Sequence, residues 1–527
     1  MRKPILPVFL SSVTLALPAA AQTNPATGAQ QVQPPTSDAG KSGGGGLGLS
    51  KPPPGEEFRF DYHGYLRAPL RIGKNDRAGT GAAVGPNQSS TIFHEPLLID
   101  DQYLNWNYTR AQEKAWAEMF FSYGNSHVTG TVSVQAYNFD DWERLADAQF
   151  GIGQGWVTVR PDPGWENTRF EWKVGAFWEK FGQAGKYDAG PYDTYLIGRT
   201  HQMGEALKGE WDVAEGDITL KAEHGIGAHG EERAGTAFTL LHHFHVGASF
   251  YKMLDVNLHY INTWTQDSSP TAPEGSLRII GAEGRLTGGI LGELYLGYAS
   301  AKAENSQQVG AAVETVHSFG GGGTFGLDFN YNYLGGAAGN VNGNGTVNTF
   351  EFNYEYSFGL LWRELEHPGV GFWGEGTDVR LNLFGLYSMV SSAVPAWDSK
   401  KKFKYGADAF AALLPWFGAG VRYDRVQPNL DDGSVAFSII SPRLVFRTSW
   451  NSHEQISLVY SHYSYGSALQ NRPIATAATH PGFVVPASYG TNEANSAAFR
   501  TTGTNPGMPN PRPPDTDVIS LKATMWW

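Results

Sequence analysis

The stretch that decides the fold runs from Phe58 to Ile72 and reads FRFDYHGYLRAPLRI. Its even-numbered positions are apolar or small, whereas its odd-numbered positions carry the arginines, the aspartate and the histidine. Because successive side chains of a β-strand point to opposite faces, this period of two predicts a strand with one greasy and one ionic face. An ordinary strand has about 5–6 residues, so a stretch this long suits a bilayer-crossing strand, which needs about 9–11.

The same alternation recurs at 169–178, 218–223, 256–264 and 350–362. Ionic side chains on one face of so many strands would cost several kcal/mol each in a dry core. They are tolerated where that face lines water and the other face meets lipid. The pattern therefore predicts an all-β fold, a large antiparallel transmembrane β-barrel over residues 57–527. We expect about 18 strands, with 16 or 20 as alternatives, short periplasmic turns and long external loops.

Composition agrees with this fold and excludes one class of partner. The chain has 65 glycines, 13% aromatic and only 17% charged residues, which favours β structure with tight turns. Its formal charge of −12 argues against nucleic acid as a partner, since phosphate contacts need clustered Lys and Arg. Disulfides are excluded because the chain contains no cysteine.

The N-terminal region predicts export. Arg2 and Lys3 precede an apolar stretch, and Ala19 to Ala21 offer a small-residue cleavage site, so residues 1–21 read as a signal peptide. Residues 22–56 are rich in Gln, Pro, Ser and Gly and are predicted to be a disordered periplasmic leader. The expected location of the mature chain is the bacterial outer membrane, in contact with lipid and lipopolysaccharide.

Two short motifs carry a family resemblance. The run Asp61–Arg67 (DYHGYLR) and the terminal Met525–Trp527 (MWW) resemble the first strand and the C-terminus of maltoporin-type sugar porins. This resemblance implies a homotrimer of 18-stranded barrels. It also implies lumenal aromatic rings along which sugars slide, beside a polar track. Separately, the amphipathic last strand, which ends on an aromatic residue, resembles the terminal signal of outer-membrane proteins that the barrel-assembly machinery reads.

Carried over residue by residue, the resemblance makes Tyr65, Tyr103 and Trp526 the aromatic slide, with Tyr103 on the second strand. Arg67 and Asn105 would hydrogen-bond the sugar hydroxyls, although Asn105 stands where the family has a carboxylate. The alternation independently places Tyr65, Tyr103, Trp526 and Arg67 on the wet face. Sugar C–H faces stack on aromatic rings, and guanidinium offers fixed donors to hydroxyls.

A constriction is predicted in the segment from Gly182 to Gly204, between a strand ending near Lys180 and one starting near Glu205. Its opposed charges and tyrosine are typical of a selectivity eyelet. The candidate residues are Lys186, Asp188, Tyr192, Asp193 and Arg199. A solvated surface loop rich in turn residues is the alternative for this segment.

Other constellations predict no further chemistry. On a strand, His243 and His245 share one face and His242 takes the other, so this run supplies only two ligands where zinc usually needs three or four. No metal or other cofactor is therefore expected, although an acidic loop such as 430–433 leaves calcium binding open. Ser461 and His462 are strand neighbours on opposite faces, which argues against a catalytic pair and against an enzyme.

The function predicted from these observations is passive diffusion of small hydrophilic solutes through an outer-membrane porin, with oligosaccharides as the first candidate. The alternative within transport is a general or organic-anion porin without sugar specificity. Outside transport, a barrel enzyme or an adhesion barrel would present the same alternating strands.

Overall fold

The computed structural model describes residues 49, 55–74, 116–137, 149–183, 196–214, 216–229, 239–265, 274–304, 345–359, 378–392, 398–399, 401–414, 416–427, 430–431, 433, 436–446, 455–465 and 516–526. The predicted signal peptide and most of the predicted leader lie outside the described residues. Of the leader, Leu49 is described near one end of the barrel, where its backbone N–H donates to Glu210 Oε1 at 3.1 Å.

The described residues form eighteen strands. The first nine are β1 (Arg59–Lys74), β2 (Trp116–Gly124), β3 (Val128–Tyr137), β4 (Gln149–Val159), β5 (Thr168–Phe181), β6 (Gly198–Asp212), β7 (Ile218–His229), β8 (Thr239–Phe250) and β9 (Leu254–Thr265). The second nine are β10 (Ser276–Thr287), β11 (Glu293–Glu304), β12 (Gly345–Ser357), β13 (Asp378–Ser392), β14 (Lys401–Leu414), β15 (Phe417–Gln427), β16 (Phe437–Phe446), β17 (Gln455–Tyr465) and β18 (Thr516–Trp526).

The strands form one closed antiparallel ring. Each pairs with the strand before and after it in sequence, and β18 pairs with β1 from Tyr65 opposite Trp526 to Lys74 opposite Asp517. Closure of the described strands satisfies both edges, which a bilayer requires because lipid offers no hydrogen-bond partner. The predicted 18-stranded barrel is confirmed.

The two ends of the ring differ in the connections they carry. Short turns join β2 to β3 (125–127), β6 to β7 (213–217) and β8 to β9 (251–253), although 358–377 at the same end is longer. Connections at the opposite end include 75–115 and 466–515. This is the asymmetry that the sequence predicts for an outer-membrane barrel.

The two faces of the sheet differ as the alternation requires. On β18, Leu521 is 45% exposed on the outside, while its neighbour Lys522 is 3% exposed on the inside. The outer face is apolar along the strands, and the inner face carries the buried polar and charged side chains. A charge on the outer face at the bilayer midplane would cost about 2–4 kcal/mol, so the pattern fixes the register of each strand.

Helical structure plays little part in the described chain. A single 3-10 turn spans Gly289–Leu291 in the connection between β10 and β11. None of the described helical segments has the length and apolarity to cross a membrane.

Candidate functional site: the inner face of the barrel

The inner face contains part of the predicted sugar track. Arg67 is buried on the inside of β1, as its parity predicts. Tyr65 and Trp526 stand opposite each other where β1 meets β18. The second described strand is Trp116–Gly124, and Tyr103 and Asn105 lie outside the described residues. The structure therefore pairs the Tyr65 and Trp526 positions and places Arg67 on the same strand as Tyr65.

The connection between β5 and β6 begins and ends inside the barrel. At its start, the Gln183 backbone N–H donates to both carboxylate oxygens of Glu283 on β10, at 2.7 and 2.8 Å, and Arg285 donates to the Gln183 carbonyl. At its end, Ile197 is fully buried and lies against Gly281 on β10, where a Cβ would come within 2.2 Å of its side chain. Since β10 lies several strands further round the ring, both stems reach across the interior.

The five residues predicted for the constriction fall into two groups. Lys186, Asp188, Tyr192 and Asp193 lie outside the described residues. Arg199 belongs to β6, opposite Lys180 of β5. The predicted loop therefore extended too far, because the residues from Gly198 onward pair with β5 and continue the ladder instead of leaving it.

One sector of the inner wall is rich in cationic side chains. We call it the basic wall, and its five members are buried on β1, β14, β15, β16 and β18: Arg67, Lys404, Arg422, Arg443 and Lys522. Only two buried carboxylates, Asp408 and Asp424, accompany them on these strands. Among the described buried side chains of these strands, positive charge is therefore in excess over this sector.

The two aspartates hold two of the arginines in fixed orientations. Arg443 donates through Nη1 and Nη2 to Asp408 at 2.8 and 3.0 Å. Arg422 donates through Nε and Nη2 to Asp424 at 2.9 and 3.0 Å. Such bidentate pairs combine charge with fixed geometry, which is how buried arginines are best accommodated.

Aromatic rings on the inner face support the same guanidinium groups. The Arg422 guanidinium lies 4.5 Å from the centroid of Phe384, and that of Arg443 lies 5.1 Å from the centroid of Phe410. Gly420 separates Phe410 from Arg443 in the register, and its missing side chain lets the two groups meet. Cation–π contacts of this kind add to the ion pairs in holding the two guanidinium groups in place.

A second sector, on β7 to β10, carries imidazoles and carboxylates. We call it the histidine wall, and its members are Glu223, His243, His245, His259 and Glu283. All five are buried, with at most 4% exposure. The prediction that His243 and His245 share one face is confirmed, and His242 points outward, where its Nε2 lies 3.0 Å from that of His224.

The histidine wall forms a continuous network. His243 Nδ1 lies 3.1 Å from His245 Nε2, His245 Nδ1 lies 2.8 Å from His259 Nδ1, and His259 Nε2 lies 3.1 Å from Glu283 Oε1. Glu283 also accepts from Asn257 Nδ2 at 3.2 Å and from the Tyr295 hydroxyl at 2.9 Å. The same carboxylate that anchors the β5–β6 connection thus ends the imidazole chain.

The two walls face each other across the bore. In a closed ring of eighteen strands, β7 and β8 stand half a turn away from β16 and β17. Three buried carboxylates of β5 and β6 extend the acidic side next to the histidine wall: Glu171, Glu179 and Glu210. Lys173 and Lys208 offset part of this charge through contacts of 3.5 and 2.6 Å with Glu179. The interior is therefore polarised from one side to the other.

The predicted absence of a catalytic Ser–His pair can be checked directly on β17. Ser461 is buried inside and lies 2.9 Å from the Ser441 hydroxyl, whereas His462 contacts Asp517 at 2.7 Å. The two side chains lie on opposite faces and have different partners, as strand geometry requires.

Sequence reasoning missed four of the five members of the basic wall and three of the five members of the histidine wall. Lys404, Arg422, Arg443 and Lys522 lie on four different strands, and Glu223, His259 and Glu283 lie on three more. Each of these residues occupies an inward-facing position in the alternation of its own strand, and this alternation was the signal that the sequence offered. Their association depends on the register between strands, which no single segment encodes.

Comparison with known proteins adds fold-level similarity alone. No protein-family model and no curated protein matches the sequence. Among solved structures, the chain is similar to OmpT, an outer membrane protein of Vibrio cholerae, with 8% identity over 89% of this chain and 98% of that chain and a TM-score of 0.36. OccK11 (OpdR) of Pseudomonas aeruginosa matches with 9% identity over 89% and 95% and a TM-score of 0.38.

A third similar structure is OccAB2 of Acinetobacter baumannii, with 9% identity over 89% of this chain and 98% of that chain and a TM-score of 0.37. At identities and TM-scores of this size, any function has to be argued from the chain's own geometry.

Proposed function

We propose that this chain is a passive channel of the bacterial outer membrane for small hydrophilic solutes, with a preference for organic anions along its basic wall. The apolar outer face and the closed ring support insertion in lipid. The excess of buried cations over carboxylates on β14–β18 and β1 is the observation that carries the solute preference.

The mechanism follows from the chemistry of the two walls. Lys404, Lys522 and Arg67 contribute positive charge to this wall, with Lys404 Nζ 3.8 Å from Asp424, and Arg422 and Arg443 are held rigid by their aspartates. The carboxylates across the bore repel an organic anion, so a transverse field draws it to the basic side and orients it. In such a passive channel, the solute would move down its concentration gradient.

The test compares two solutes that differ mainly in charge, gluconate and glucose. Single channels in a planar bilayer should be blocked by gluconate, and much less by glucose at equal concentration. The double variant Arg67→Gln with Lys522→Gln should weaken the gluconate block at least about tenfold, since each buried charge-assisted hydrogen bond contributes roughly 1.5–3 kcal/mol. Raising the salt should weaken the wild-type block as well.

Equal block by gluconate and glucose in the wild type, or an unchanged gluconate block in the double variant, would remove the organic-anion preference. A barrel that inserts into the bilayer but conducts no ions would remove the channel function itself. In that case an enzyme or an adhesion barrel becomes the better hypothesis.

A sugar channel is the second candidate, favoured by the pairing of Tyr65 with Trp526 beside the buried Arg67. A maltooligosaccharide should then block the current, and Trp526→Ala should abolish that block. An unchanged block in this variant would exclude an aromatic slide at Trp526. Carbohydrate transport, the homotrimer and signal-peptide cleavage stay predictions from the sequence, as do the barrel-assembly machinery and lipopolysaccharide as partners.

A further inference from the structure

Strand register brings three metal-binding side chains together on the histidine wall. Glu223 of β7 stands directly opposite His245 of β8, and His243 is two residues from His245 on the same inner face. Gly225 stands opposite His243, and a Cβ there would lie 2.0 Å from His243 Nε2. Glycine at 225 thus lets the imidazole lie against β7, with its Nδ1 towards the other two side chains.

The ligand atoms have the spacing of a tetrahedral metal site. In a zinc site with Zn–N bonds of about 2.0–2.1 Å, tetrahedral geometry puts neighbouring ligand atoms about 3.3 Å apart. His243 Nδ1 lies 3.1 Å from His245 Nε2 and 3.6 Å from Glu223 Oε1. The ligand atoms of all three residues lie within 4.8 Å of one another.

The surrounding hydrogen bonds direct a lone pair of His245 into this cluster. Glu283 accepts from a backbone amide, Asn257 and Tyr295, so it acts as a carboxylate acceptor and requires His259 Nε2–H to donate to it. In the tautomer that continues this chain, His245 Nδ1–H donates to His259 Nδ1. His245 Nε2 is left without a proton, which is the state that binds a metal, and its imidazole is oriented as in metal sites with outer-shell carboxylates.

Glu223 provides a second indication of a ligand. Its Oε1 is buried and has no hydrogen-bond partner in the described structure, and buried polar atoms rarely lack one. Lys208 approaches the other oxygen, Oε2, at 3.5 Å, but this ammonium lies closer to Glu179, at 2.6 Å. Phe181 covers the two imidazoles, with ring centroids 4.7 and 4.8 Å away.

We propose that Glu223 Oε, His243 Nδ1 and His245 Nε2 bind one Zn²⁺ ion on the inner wall of the barrel, with a fourth position left for water or an anion. Two imidazoles and one carboxylate suit zinc and its borderline neighbours, whereas Ca²⁺ and Mg²⁺ prefer oxygen ligands. His259 and Glu283 are positioning residues in this site, because they act through His245.

The experiment uses the full barrel folded in detergent and stripped with a chelator. Titration calorimetry should show one Zn²⁺ per chain and no saturable binding of Ca²⁺. Co²⁺ as the probe should give the strong visible absorption of a four-coordinate site. Glu283→Gln should weaken Zn²⁺ affinity by about 10–100-fold, as for other outer-shell partners. Glu223→Gln, His243→Asn and His245→Asn should each weaken it further.

The outward pair on the same two strands supplies the matched control. His224→Asn combined with His242→Asn removes two imidazoles whose Nε2 atoms are 3.0 Å apart on the outer face, and should leave Zn²⁺ affinity unchanged. Loss of binding in this control would place the ion outside and overturn the proposal.

A wild-type barrel without saturable Zn²⁺ binding, or ligand variants that bind as tightly as the wild type, would also overturn it. The histidine wall would then be a hydrogen-bonded network alone. The Co²⁺ spectrum of the wild-type barrel tests for a four-coordinate site even where a ligand variant does not fold. Binding is measured without transport, so a failure of the proposed channel function leaves this test intact.

Discussion

On the basic wall two of the three buried arginines lie in bidentate pairs with aspartates, whereas on the histidine wall the buried carboxylates contact imidazoles and a backbone amide. Breaking a buried ion pair leaves an uncompensated charge, so the pairs of the basic wall are tied to stability. Glu223 of the histidine wall has an oxygen without a hydrogen-bond partner, so this carboxylate is better suited to a ligand. The contrast separates the Arg422–Asp424 and Arg443–Asp408 pairs, which stabilise the barrel, from Glu223, which has a carboxylate oxygen for a ligand.

The largest expected change is a loss of folding stability in a variant of the basic wall. Arg443→Met should lower the free energy of unfolding by about 3–5 kcal/mol, because Asp408 would stay buried without its bidentate partner. Urea unfolding in lipid vesicles measures this change. Lys302→Gln is the matched control, since Lys302 also contacts a carboxylate, Glu304, at 2.9 Å but the two side chains are 48% and 60% exposed. The control should lose less than about 1 kcal/mol.

A loss for Arg443→Met as small as that of the control would break the comparison, since the buried pair would then contribute no more than a surface pair. Adding Asp408→Leu to Arg443→Met should recover most of the stability, because no buried charge is left without a partner.

A smaller effect is expected where the histidine wall meets the β5–β6 connection. Glu283→Gln should cost roughly 1.5–3 kcal/mol, because the charged acceptor of the Gln183 amide is lost. Hydrogen exchange at the Gln183 amide should rise together with the loss of stability. Glu304→Gln is the control, because Glu304 pairs with Lys302 at 2.9 Å at an exposed strand end and should change little. Unchanged exchange at Gln183 in Glu283→Gln would contradict the anchoring role.

The smallest expected change is in the Zn²⁺ affinity of a variant of Lys208, which lies on the acidic side of the bore. Lys208→Gln should raise Zn²⁺ affinity by roughly tenfold, since it removes a positive charge near Glu223 that opposes a bound cation. Lys302→Gln, at the exposed end of β11, should leave the affinity unchanged. Weaker Zn²⁺ binding in Lys208→Gln would show that the ammonium supports the site and does not compete with the ion.

The sequence predicted what depends on one strand at a time. Alternation repeated along the chain predicted the barrel, alternation in residues 58–72 placed Arg67 on the inner face, and strand geometry predicted the shared face of His243 and His245. Contacts between strands were out of reach, because the pairing of Glu223 with His245 depends on where β7 and β8 turn. The boundary of β6 was missed for a related reason: residues 198–204 pair with β5 without a distinctive apolar alternation of their own.

The central claim is that inward side chains line water while outward side chains meet lipid, and β18 tests it most directly. The chain has no cysteine, so single cysteines placed from 519 to 524 can be labelled without background. In vesicles, a water-soluble thiol reagent should modify cysteines at positions 520, 522 and 524, and a lipid-confined quencher should reach labels at 519, 521 and 523. Uniform modification along the strand, or the opposite parity, would contradict the account.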